Sequence, residues 1–158
     1  MNENPIKTIR QIIEEYLTEQ KKRLADRTLL SYRDAMNWLL CGLRRNSCTF
    51  LDEEELRLFE KREEQGIEFE DFFGSEVLDA VEFGCFLGYF LPRKTCVGRE
   101  GAKKICGIVL HFYKWLVENS YVFDEDMEET IKNLREDFKI SWQEYEERIE
   151  KYNESIKL

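Results

Sequence analysis

The sequence predicts an all-α protein, and three observations carry that prediction. Apolar residues recur at i, i+3, i+4 and i+7 through five long stretches, which is the spacing of one helix face and not the alternation of a strand. Only 2 Pro and 8 Gly interrupt 158 residues, so few positions break a helix. The chain is 36% charged and 42% hydrophobic, rich in the Glu, Lys, Leu and Ile that favour helices. A chain of this length buries roughly 70% of its unfolded surface and needs neither disulfide nor metal staples.

The elements follow in order. A first helix is expected from Pro5 to Leu24, with Asn4 as N-cap and Pro5 in the first turn. Its stripe is Ile6, Ile9, Ile13, Tyr16, Leu17 and Leu24. A second runs from Asp26 to Arg45, burying Leu29, Tyr32, Met36, Leu39, Leu40 and Leu43. Asp26 near its start and Arg44 and Arg45 at its end suit the helix dipole. Residues 49–74 read as an insertion with one short helix, capped by Asp52 and stopped at Gly66. Ile67, Phe69, Phe72 and Phe73 then return to the core.

The third helix is expected to start after Ser75 and to end before Pro92, burying Val77, Leu78, Val81, Cys85, Phe86 and Tyr89. Gly84 and Gly88, four apart on one face, predict a neighbouring helix at close range. The fourth, Arg99 to Asn119, carries the stripe Ala102, Ile105, Cys106, Val109, Phe112, Tyr113 and Leu116. The fifth starts near Asp124 and runs to the C-terminus. Its apolar positions are Met127, Ile131, Leu134, Phe138, Trp142, Tyr145, Ile149, Tyr152 and Ile156, a near-heptad seam with one stutter. The expected architecture is a four-helix orthogonal domain over 1–122, with an inserted short helix and an amphipathic C-terminal helix over 123–158.

Charge narrows the function. The net charge is −9, which by itself argues against nucleic acid, but it alternates along the chain. Residues 1–48 and 92–121 are net basic (9 basic against 6 acidic, and 6 against 2), while 49–91 and 122–158 are strongly acidic. The first residues lack the basic and apolar regions of a signal peptide, and Asp79 and Glu82 break the longest apolar stretch. The expectation is a cytoplasmic protein with no membrane partner. Five cysteines with no CxxC pattern, beside a single His, argue against zinc or a disulfide framework and for buried, reduced thiols.

Catalytic patterns are absent. His111 has no nucleophile motif near it, the abundant carboxylates read as solvated faces, and Gly98-Arg99-Glu100-Gly101 is too short for a phosphate loop. The expectation is a non-enzyme without metal or small-molecule cofactor. The basic residues fall in three groups: Lys21, Lys22, Arg23 and Arg27; Arg44 and Arg45; and Arg93, Lys94, Arg99, Lys103 and Lys104. Such clusters suit phosphate contacts.

One stretch carries a family resemblance. Leu24-Ala25-Asp26-Arg27-Thr28-Leu29-Leu30-Ser31-Tyr32, with the helix that follows, resembles the second-helix start of the core-binding domain of tyrosine recombinases and phage integrases. Thr28 and Tyr32 match that family's pattern, and Ala25 stands where a cap Ser is usual. His111-Phe112-Tyr113-Lys114-Trp115-Leu116 and the residues to Val122 resemble that domain's last helix, without the Asn-Pro that usually follows it. The resemblance implies a DNA clamp over residues 5–122. It implies no recombinase activity, because the catalytic Arg, His-x-x-Arg and Tyr constellation has no counterpart in this sequence.

Two functions are therefore expected. One is a non-catalytic, DNA-associated or regulatory protein that contacts duplex DNA through the basic residues named above. The other is a protein–protein module, most simply a homodimer, built on Trp142, Tyr145, Ile149, Tyr152 and Ile156 of the fifth helix. That helix, about 45 Å long at 1.5 Å per residue, exceeds the width of a domain of this size. It must bend near Ser141 and fold back, or leave its seam for a second chain.

Overall fold

Thr8 and Gln11 decide where the chain first turns helical. In the computed structural model, which describes residues 6–157, α1 (Ile9–Lys21) opens on a capping box. The Gln11 N–H donates to Thr8 Oγ1 at 3.3 Å and the Thr8 N–H to Gln11 Oε1 at 3.0 Å. Thr8 is extended and bridges Gly74, and the Ile9 N–H donates to Phe73 O at 2.8 Å. A Cβ at Gly74 would lie 2.8 Å from Lys7 O, so the approach of these two segments needs glycine there. The helix thus starts four residues after the expected Pro5, and Ile6, expected on the stripe, is 90% exposed. Asn4 and Pro5 lie outside the described residues. Ile12 and Gln20 join the buried face instead, and Leu24 is half-buried beyond the helix end.

α2 (Asp26–Arg45) has the expected bounds and buries Leu29, Ala35, Met36, Leu39, Leu40 and Leu43. A short α3 (Ser47–Phe50) leads to α4 (Glu53–Glu64), which begins at a second capping box, Asp52 with Glu55. It stops at Gly66, whose φ of +86° is the left-handed conformation glycine adopts without strain. α4 and α5 (Phe69–Phe72) enclose a satellite of aromatic rings, Phe59, Phe69, Phe72 and Phe73. Glu70 of α5 is buried, and Arg44 of α2 donates to both its oxygens, at 2.7 and 3.1 Å. Arg10 of α1 adds a third contact at 3.3 Å, so the two arginines fix α5 against α1 and α2.

The third helix departs most from expectation. A 3₁₀ turn over Ser75–Val77 comes first, and α6 (Ala80–Cys85) is capped by Asp79, not Ser75. The rod continues through a π turn over Phe86–Phe90 into α7 (Leu91–Lys94), with Pro92 inside it. Proline normally ends a helix because its ring clashes with the carbonyl four residues back and it supplies no N–H. Here the wider π turn precedes it, and the carbonyl in question, Gly88 O, accepts instead from Arg93 Nη1 at 3.3 Å. The buried face is Phe83, Phe86, Leu87, Phe90 and Leu91. Val81, Cys85 and Tyr89, expected inside, are exposed.

α8 (Gly98–Glu118) is the central helix. Its whole predicted stripe is buried, together with Ile108, Leu110 and Trp115, so it is enclosed on most sides. α1, α2, the 80–94 rod and α8 form the body, and α9 (Met127–Ile156) crosses the rod and α8. As expected, α9 passes over Gly84 and Gly88. A Cβ on either would meet Leu134 Cδ2 at 3.6 Å or Ser141 Oγ at 3.5 Å, which is ordinary contact, so the approach does not itself demand glycine. Leu134, Phe138 and Trp142 enter the common core. The chain is all-α, and among the described residues no helix is long and apolar enough to cross a membrane.

Candidate interaction surfaces

The basic residues divide between two ends of α2. Lys21, Lys22, Arg23 and Arg27 lie at the α1–α2 junction, where Arg23 borders His111 and Lys114 of α8. Arg45 lies at the other end, 18 residues and about 27 Å further along the helix, where it shares a depression with Lys94. Arg44 is held on Glu70, Arg99 on Glu146 at 2.9 Å, and Lys103 faces Glu100 at 3.7 Å. Arg93 donates to Gly88 O and stacks over Tyr89, 4.9 Å from the ring centre. Lys104 is exposed. Among the described residues Lys21, Lys22, Arg27, Arg45, Lys94 and Lys104 have neither an ion pair nor a side-chain hydrogen bond, and Arg23 has only the partners Gln20 and His111. The structure therefore does not gather the eleven basic residues on one site, and it gives Arg44 and Arg99 carboxylate partners of their own.

His111 is a packing residue. Its Nδ1 lies 2.7 Å from the Tyr16 hydroxyl and its ring packs near Tyr16 and Tyr32. Burial, then the nearby charges of Arg23 and Lys114, push its pKa down and favour the neutral ring. Arg23 Nη2, which can only donate, lies 3.4 Å from Nε2, so in the neutral ring Nδ1 carries the proton and donates to the Tyr16 hydroxyl. Trp115 Nε1 donates to Glu19 and the Tyr121 hydroxyl to Glu15, so this cluster ties α8 and its exit to α1. Of the cysteines expected to be buried, only Cys106 is, and burial pushes its thiol up to about 11. Cys48, Cys85 and Cys96 are exposed, because they sit in α3, on the outer face of the rod and in the turn before α8. Among the described residues no three His, Cys, Asp or Glu side chains stand close enough to hold a metal ion.

α9 is one unbroken helix, without the bend near Ser141 that one of the two alternatives, folding back, would need. Trp142, counted with the interface, belongs to the body: it is buried and its indole N–H donates to Glu146. Tyr145 is half-buried against Trp142. From residue 147 to 157 every side chain is exposed, an overhang of about 16 Å at 1.5 Å per residue. Ile149, Tyr152 and Ile156 are 42%, 63% and 62% exposed along the line that is buried further back.

Sequence reasoning missed the Glu70 pair, because Arg10 and Arg44 meet Glu70 only through long-range folding. It also missed the Thr8–Gln11 box, although the T-x-x-Q spacing was there to be seen. No protein-family model, curated protein or solved structure matches this chain.

Proposed function

We propose that this chain is a non-catalytic interaction module that pairs with a second copy of itself through the projecting end of α9. The observation that supports this is the overhang: an amphipathic helix keeps its apolar seam for three further positions after its own body has ended. Soluble proteins seldom leave such a seam uncovered. The seam is self-complementary when run antiparallel. Its order is Tyr145, Ile149, Tyr152, Ile156, so placing Ile149 opposite Tyr152 of the second copy also places Tyr145 opposite Ile156. Every layer then holds one aromatic and one β-branched side chain, and a single two-fold axis between residues 150 and 151 relates them. Two overhangs this short cover an area near or below the ~1,200 Å² low end of specific interfaces, so the dimer is weak and depends on concentration. Light scattering on the full chain from micromolar to millimolar concentration tests it. A monomer throughout that range overturns the reading.

A second reading, contact with duplex DNA, is supported by the six unpaired cations and by the resemblance to the integrase core-binding domain. The two ends of α2 are about 27 Å apart, the length of eight base pairs at 3.4 Å each. Six phosphate contacts give a log–log salt slope of about −5. A fluorescence titration with a short duplex at two salt concentrations tests this, and no binding at the lower one removes it. Deleting α9 to relieve its acidic charge is no test, because that also removes Leu134, Phe138 and Trp142 from the core.

A further inference from the structure

The end of α2 and the π turn enclose a cavity of about 130 Å³, and the Arg45 and Lys94 that line it are also two of the cations of the DNA reading. Its floor is apolar, made by Leu43, Phe86 and Phe90. Gly42 makes that floor possible: a Cβ there would lie 2.7 Å from Phe86 Cδ2 and 3.1 Å from Phe90 Cδ1. Without it the two rings, stacked at 5.7 Å, settle directly on α2. A space of about 150 Å³ is known to hold a single benzene ring, so this one has the right scale for one six-membered ring. Single π turns also occur frequently at functional sites.

The rim is charged. Arg45 and Lys94 both line the cavity, come from different helices, and form no ion pair among the described residues. The third charged group is Glu82, whose residue is 6% exposed although its side chain borders the cavity. Among the described residues its only side-chain partner is Asn46 Nδ2 at 3.5 Å, a long contact that leaves most of its hydrogen-bonding capacity unused. Burial, then the neighbouring Asp79, raises the Glu82 pKa and favours the neutral acid. The site as a whole is an apolar slot with a cationic mouth.

We propose that this cavity binds a small aromatic carboxylate, its ring on Phe86 and Phe90 and its carboxylate between Arg45 and Lys94. Glu82 borders the same cavity. The opposite polarity, an amine paired with Glu82, would place a third cation beside Arg45 and Lys94.

The test uses three probes of equal ring size, phenylacetate, benzyl alcohol and benzylamine, each titrated into the full chain and followed by amide chemical shifts. The expected result is saturable binding of phenylacetate with the largest shifts at Gly42, Phe86 and Lys94, weaker binding of the alcohol and least of the amine. Arg45→Ala and Lys94→Ala should each weaken phenylacetate about two- to five-fold and leave the alcohol unchanged. Both residues are exposed and without ion pairs, so an unchanged circular dichroism spectrum is expected. Glu82→Gln should bind phenylacetate at least as tightly as the parent chain. No saturation at millimolar phenylacetate, tighter binding of benzylamine, or unweakened phenylacetate binding by the double Arg45→Ala, Lys94→Ala variant would overturn the assignment. The outcome is independent of the dimer, because the site lies in the body and away from the overhang.

Discussion

The two halves of α9 have the same design and opposite surroundings. Residues 127–142 put Leu134, Phe138 and Trp142 into the core, while the same seam continues through Ile149, Tyr152 and Ile156 into solvent. Both halves are amphipathic, and both are built from steps of three and four, with the one stutter in the first half. The difference lies in the neighbours. The first half runs over Gly84, Gly88 and α8, and the second has passed the edge of the body. Periodicity therefore states which face of a helix wants cover, and only the fold states what covers it.

Substitutions along the seam can break this contrast. The largest effect is expected at Phe138→Ala, which removes a buried ring and should lower stability by about 3–5 kcal/mol in a denaturant titration. Tyr152→Ala, the same deletion of an aromatic side chain ten residues or more further on, should leave the stability of the dilute monomer within about 0.5 kcal/mol. Equal losses at both positions would mean that the overhang is packed after all.

Next is Ile149→Glu with Ile156→Glu, which puts charge into each layer of the proposed pair. Light scattering should show the concentration-dependent dimer gone, with the melting temperature of a dilute sample unchanged. A dimer that survives this change uses some other surface.

Smaller effects sharpen the comparison. Gly84→Ala should stabilise the anchored half by up to about 1 kcal/mol, because the added methyl meets Leu134 at ordinary contact distance and the helix loses a flexible residue. Destabilisation would show that α9 lies closer than the 3.6 Å contact indicates. Arg99→Ala removes the ion pair with Glu146 just before the overhang. With both groups well exposed, it should change stability by less than about 0.5 kcal/mol.

The parts of this fold that local chemistry controls were legible in the sequence. α2 has its expected bounds, Asp52 and Gly66 start and stop α4, and α8 buries its whole predicted stripe. The third helix was misread in part because it offers two stripes. Val81, Cys85 and Tyr89 form one, and Phe83, Phe86, Leu87 and Phe90 form the other, of which only Phe86 was expected inside; Val77 and Leu78, also expected, are buried just before the helix. The second holds the bulkier rings and is the one the core takes, since the larger apolar area gains more on burial. The π turn and the Arg93–Gly88 contact that carry the rod through Pro92 have no sequence signature.

The candidate surfaces were legible only as composition. Runs of Lys and Arg are visible in the sequence, but the Glu70 and Glu146 that occupy Arg44 and Arg99 lie 26 and 47 residues away. The cavity floor needs Gly42 and Phe86 to meet across 44 positions. Charge runs therefore show where basic residues fall in the chain without saying which are free. The apolar seam of the last helix was read correctly in register, with Leu134, Phe138 and Trp142 buried and Ile149, Tyr152 and Ile156 continuing the same line into solvent.

The overhang also depends on where its helix begins. An eleven-residue peptide is too short to hold a helix in water, because forming the first turn fixes several residues for one hydrogen bond. Residues 147–157 avoid that step: the turn ending at Trp142 is already formed and held by the core, so each residue beyond it only extends an existing spiral. Its order is borrowed from the body and decays toward the tip, so backbone amide exchange in the lone chain should quicken steadily from Glu147 to Lys157. A second copy laid across it would slow that exchange most near the tip, where the loan is smallest.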